Sequence, residues 1–108
     1  MLGRTAEFGH KRSSSVPPKP GKIMISRDGA PVGWAMLMYD LDDAKEDLAT
    51  LMAAMQNDPE FNEECFRVRL SHIYWHLNRA WYRRNVPEDL SHNDEAKAGQ
   101  FPDDLQPI

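Results

Sequence analysis

A single cysteine, Cys65, stands in 108 residues. One thiol excludes an internal disulfide and any zinc site built on several thiolates, and it fits the reducing cytoplasm. Long apolar runs are also missing: none approaches the ~18 residues that cross a bilayer, so the chain is not expected to span a membrane. The N-terminus has no apolar secretory core. No Gly-rich phosphate loop, dinucleotide fingerprint or nucleophile elbow occurs anywhere. Positive charge is scarce overall and unevenly placed. Residues 1–22 carry five basic side chains and one acidic, whereas residues 86–108 carry one basic and six acidic, within a net charge of −4. Without a concentrated basic face, binding to nucleic acid through its phosphates is not expected.

The basic head, ending KRSSSVPPKPGK (Lys11–Lys22), has too little apolar surface to offset its chain entropy. Residues 1–22 are therefore read as a disordered Pro/Ser-rich arm. Ile23–Ser26 precedes a turn signal and is either a short strand or an extended segment clamped on a helix. From there the pattern is helical. Leu37, Leu41, Ala44, Leu48, Leu51 and Met55 recur at spacings of three and four, predicting a helix over residues 32–56 with Pro31 in its first turn. Asn57-Asp58-Pro59-Glu60 punctuates the chain. With Asp58 as N-cap and Pro59 as first residue, a second helix is predicted over 59–85, its stripe being Phe66, Leu70, Ile73, Leu77, Ala80 and Trp81. Together, residues 23–85 read as an all-α, antiparallel helical hairpin. Residues 86–108 form an acidic tail, with a short helix predicted over 91–98 between Ser91 and Gly99 and an apolar set Phe101, Leu105 and Ile108 beyond it.

Two helices cannot cover all their own apolar residues. Trp34, Met38 and Met52 flank the first stripe, and Phe61, Val68, Trp75 and Tyr82 flank the second. A small core of this kind calls for help, and pairing of two hairpins into a homodimeric four-helix bundle, with flexible arms at both ends, is the simplest source.

Chemistry-bearing residues concentrate in SHIYWHLNRAWYRRN (Ser71–Asn85). At 100° per residue, Cys65, Arg69, His72, His76, Arg79 and Arg83 trace one edge of the second helix, and Asp40, Asp43 and Asp47 trace an edge of the first. An ideal hairpin turning near residue 57 sets Asp43 level with His72, Asp40 with His76 and Asp47 with Arg69. Three uses follow. The first is a polar seam that fixes register, leaving a non-catalytic interaction module that needs no cofactor. Its contacts are expected from Trp75, Trp81, Tyr82, Arg83, Arg84, Phe101 and Leu105, the aromatic and Arg types that dominate interfaces. The second is a metal site or metal-dependent enzyme, in which His72 and His76 at i,i+4 present two imidazoles with Asp43 or Asp40 as third ligand. The stronger H-E-x-x-H pattern is absent. The third is single-stranded nucleic acid held by Arg79, Trp81, Tyr82, Arg83 and Arg84, for which basic residues complementing the helix C-terminus are the plainer account.

Overall fold

A computed structural model describes residues 23–108; the N-terminal arm expected over 1–22 lies outside the described residues. The fold is all-α. Helix α1 spans Pro31–Asn57 and helix α2 spans Glu63–Tyr82, antiparallel to it. A 3-10 turn at Arg83–Asn85 extends α2, and a second at His92–Asp94 leads into the short α3, Glu95–Ala98. No helix among the described residues is long and apolar enough to cross a membrane.

Helix α1 begins where Pro31, with its fixed φ and missing N–H, occupies N1. Helix α2 begins four residues later than the spacing predicts. Asp58 is not its N-cap. The Asp58 carboxylate instead accepts from the Glu60 N–H (2.9 Å) and its carbonyl from the Phe61 N–H (3.1 Å), closing a turn around Pro59. The cap is Asn62, whose side chain accepts from the Cys65 N–H (2.9 Å), with Glu63 and Glu64 complementing the positive helix end. The longer connection slides α2 along α1 by about one turn, and this slip decides which charged residues meet.

The apolar stripe of α1 also divides. Leu37, Ala44 and Leu51 are buried, and Ala44 and Leu51 form the core with Ile73, against which Phe61, Phe66 and Leu70 pack. Leu41, Leu48 and Met55, read as members of the same stripe, are 40%, 46% and 50% exposed. Leu77 of the α2 stripe is likewise exposed. So few buried apolar side chains leave a large structural role to polar contacts.

The acidic tail is not a free arm. It folds back along α2: the Asn78 amide donates to the Gly99 carbonyl (3.0 Å), the Tyr82 hydroxyl to Asp94 (3.1 Å), and the Trp81 indole N–H to Asp104 (2.9 Å). Phe101 rests on Tyr74 at 5.3 Å between ring centroids. Two glycines make this closure possible. A Cβ on Gly99 would lie 2.3 Å from the Trp75 indole nitrogen, and one on Gly33 would lie 2.2 Å from the Val86 carbonyl oxygen. Gly33 thereby lets the segment after α2 lie on α1, where its N–H donates to the Pro87 carbonyl (3.0 Å). Ahead of α1, Ile23–Ser26 forms no strand; it is pinned by the Ile25 N–H donating to the Arg84 carbonyl (2.8 Å).

Candidate metal centre and its buried ionic support

Asp40 lies on the face of α1 turned toward α2 and is 6% exposed. His76, Arg79 and Arg83 follow one another at steps of three and four on α2 and its extension, so three successive turns converge on that carboxylate. The His76 Nδ1 is 3.0 Å from Asp40 Oδ1, the Arg79 Nε–H donates to Oδ1 at 3.3 Å, and the Arg83 Nε–H donates to Oδ2 at 2.9 Å. All three partners are buried. The tail closes the outer side: Glu95 accepts from Arg79 (2.7 Å) and Asp89 from Arg83 (3.3 Å). Burial works against the Arg79 charge, yet the hydrogen bond to Glu95 and the fields of Asp40 and Glu95 outweigh it and raise its pKa. One carboxylate thus ties α1, α2 and the tail together.

This network also fixes His76. A carboxylate only accepts, so the Nδ1 facing Asp40 carries a proton, and Nε2 is the nitrogen left to ligate when the ring is neutral. The His76 Nε2 lies 3.7 Å from Asp47 Oδ2, and the His72 Nε2 lies 3.5 Å from the same oxygen. The three ligand atoms of Asp47, His72 and His76 all lie within 4.8 Å of one another. Separations of 3.5 and 3.7 Å are long for direct hydrogen bonds. They are close to the edge of a tetrahedron, about 3.4 Å, around an ion with bonds of ~2.0–2.2 Å. The set is graded in exposure, with His76 buried, Asp47 half-buried and His72 exposed. His72 is steadied by Trp75, whose ring stacks on it at 5.6 Å, and Arg79 lies over the Trp75 ring at 4.6 Å. Beside the triad a groove of about 230 Å³ is lined by Asp47, Thr50, Val68, Arg69 and His72.

The sequence names the two histidines and sets Asp40 level with His76, where the two are in contact at 3.0 Å; the partner of His72 differs. Asp43, expected level with His72, stands exposed with Oδ2 4.0 Å from the His76 Nδ1. Asp40, expected as a ligand, is the acceptor behind His76. Asp47, expected opposite Arg69, is the third member of the triad. Arg69 remains exposed on the groove wall. The one-turn slip of α2 accounts for Asp47 meeting His72 and for Asp43 standing near His76 instead.

Of the residues expected to meet a partner, most are engaged within the chain. Arg83 is 2% exposed in the Asp40 network. Tyr82 donates to Asp94, and burial, aided by that hydrogen bond, raises its pKa. Arg84 pairs with Asp104 (3.1 Å) and lies 3.8 Å over the Trp81 ring. Trp75 is 40% exposed, while Phe101 and Leu105 are 70% and 48% exposed on the tail. The arginines suited to nucleic-acid phosphate, Arg79, Arg83 and Arg84, thus already face carboxylates. Compared with known proteins, the chain matches no family model, no curated protein and no solved structure.

Proposed function

We propose that this chain is a small helical metal-binding protein of the cytoplasm, holding one zinc-class divalent ion on Asp47, His72 and His76. The observation that carries this reading is the orientation of His76: its Nδ1 is engaged by Asp40, which turns its Nε2 to the Asp47 oxygen that His72 also approaches. Two imidazole nitrogens and a carboxylate oxygen at this spacing, with the imidazoles neutral, accommodate a cation between them. A carboxylate behind a ligating histidine is the usual arrangement for orienting the ring and raising its basicity. Mixed imidazole and carboxylate donors favour zinc and its transition-metal neighbours over magnesium or calcium. Three protein ligands leave a fourth position open beside the Arg69–Thr50 groove, the arrangement in which a bound ion can exchange a water or a small ligand.

Titration of full-length, chelator-treated protein with zinc, followed by native mass spectrometry, tests the reading. One ion per chain is expected, with affinity reduced at least ~10-fold in His72→Ala and more in His76→Ala, as loss of a ligand implies. Circular dichroism of His72→Ala should stay unchanged, since that side chain is exposed. Absence of zinc binding at micromolar concentration, or equal affinity in Asp47→Ala, would remove the metal reading. A second reading, an interaction module that self-associates, is favoured by a different observation: α1 keeps a row of apolar side chains exposed on the flank away from the Asp40–His76 contact.

A further inference from the structure

The exposed row on α1 has an order of its own. Met38, Leu41, Lys45, Leu48, Met52 and Met55 follow alternating steps of three and four, a strict heptad seam offset by one residue from the seam that faces α2. Every member is exposed, the five apolar ones by 40–54%. The buried seam and the exposed one lie roughly 100° apart on the same helix. A solvated helix face has no reason to hold apolar residues to a 3.5-residue repeat over ~25 Å, but a helix with a second partner does.

We infer that the exposed seam pairs with the same seam of a second copy, α1 against α1 in antiparallel orientation. This rests on the self-association reading and adds to it the surface and the direction of pairing. The direction follows from Lys45. In a parallel pair the two Lys45 ammonium groups would face each other at the centre of the seam. In the antiparallel pair Met38 stands opposite Met55 of the second copy, Leu41 opposite Met52, and Lys45 opposite Leu48, so each layer contains an apolar side chain and no like charges meet. A single Lys at an a position selects orientation at a cost in stability. The seam offers roughly 500 Å² per copy, and with flanking side chains about 1,000–1,200 Å² for the pair, the lower bound of a specific interface. Leu77 and Tyr74 of α2, 41% and 44% exposed, lie by helical phase on the same flank and extend it. A modest, concentration-dependent dimer is the consequence.

Sedimentation equilibrium on the full chain, combined with cross-linking, tests this. Wild-type protein should dimerise in the micromolar range. Leu48→Asp should weaken the dimer at least ~100-fold, and Lys45→Leu should tighten it ~10-fold or more, since it removes the polar residue from the seam. Because both side chains are exposed, neither change should unfold the monomer. In a Cys65→Ser background carrying Met38→Cys and Met55→Cys, oxidation should join position 38 of one copy to position 55 of the other. A monomer at a hundred micromolar, whatever covers the seam, overturns both the self-association reading and this inference. A dimer that is indifferent to Leu48→Asp, or joined 38 to 38, overturns the inference alone.

Discussion

Replacing Asp40 by asparagine is the sharpest probe of what holds the hairpin together. The side chain keeps its shape, so packing is preserved and only charge and hydrogen bonding change. Asp40 accepts from three buried donors, His76 and Arg79 at Oδ1 and Arg83 at Oδ2. An amide has one acceptor oxygen. If that oxygen stays with His76 and Arg79, the amide nitrogen confronts the Arg83 Nε–H at what was a 2.9 Å hydrogen bond. If it turns to Arg83, the nitrogen confronts the other two donors. Either way a buried N–H loses its partner, and two guanidinium groups lose the charge between them. Removing one member of a buried ionic set costs about 3–5 kcal/mol. Glu95 and Asp89 still hold the outer sides of Arg79 and Arg83, which puts the expected loss near the bottom of that range, ~3 kcal/mol. For a domain of this size that is a fall of roughly 12–24 °C in Tm. Urea unfolding followed by far-UV circular dichroism measures it. A loss below ~1 kcal/mol would mean that Asp40 is not the central tie of the fold.

Gly33→Ala sets two effects of opposite sign against each other. Helix propensity alone favours alanine by ~1 kcal/mol, but its Cβ would meet the Val86 and Pro87 backbone at 2.2 and 2.9 Å. Neither contact is with a flexible side chain, so a net loss of about 2 kcal/mol and faster exchange of the position-33 amide are expected; a stabilised variant would show that the 86–87 segment is not held there. Asp104 has its pKa lowered, first by the Trp81 indole N–H and then by Arg84. A carboxylate whose folded pKa lies below its unfolded value contributes above the ordinary range and stops contributing as pH falls through the lower value. The NMR signal of the Trp81 indole N–H should therefore move in an acid titration with a midpoint below that of a free aspartate. Asp104→Ala should abolish the transition, and an identical titration in that variant would break the link between tail and indole.

Helix class was legible in the three-and-four spacing of Leu37, Leu41, Ala44, Leu48, Leu51 and Met55, and antiparallel order in the short Asn57-Asp58-Pro59-Glu60 connection. The turn was less so, for a specific reason. Asp-Pro-Glu satisfies a helix N-terminus and a β-turn equally: proline suits N1 and also the second turn position, since both require the same φ, and aspartate caps either. The Asn62-Glu63-Glu64 cap downstream is the signal that separates them, with a side-chain acceptor followed by two acids in the first turn. Reading Asn62 as the cap moves the second helix by one turn. Asp47 then falls opposite His72, and Asp40 opposite Arg79, as observed.

The split of the α1 stripe needed more than periodicity. Leu37, Ala44 and Leu51 and the exposed Leu41, Leu48 and Met55 satisfy the same three-and-four rule, because a helical stripe wide enough to fill a core contains two adjacent seams. What distinguishes them is company. The buried seam includes Asp40, which requires Arg79 and Arg83 nearby, and those arginines sit on the face of α2 that also presents His76. The exposed seam includes Lys45, which makes no ion pair among the described residues. A polar residue inside an apolar stripe is thus the marker of which partner that stripe expects. Aspartate selects the arginine-rich helix of its own chain, and in the proposed α1–α1 pair lysine would set, by repulsion, the orientation of the second copy.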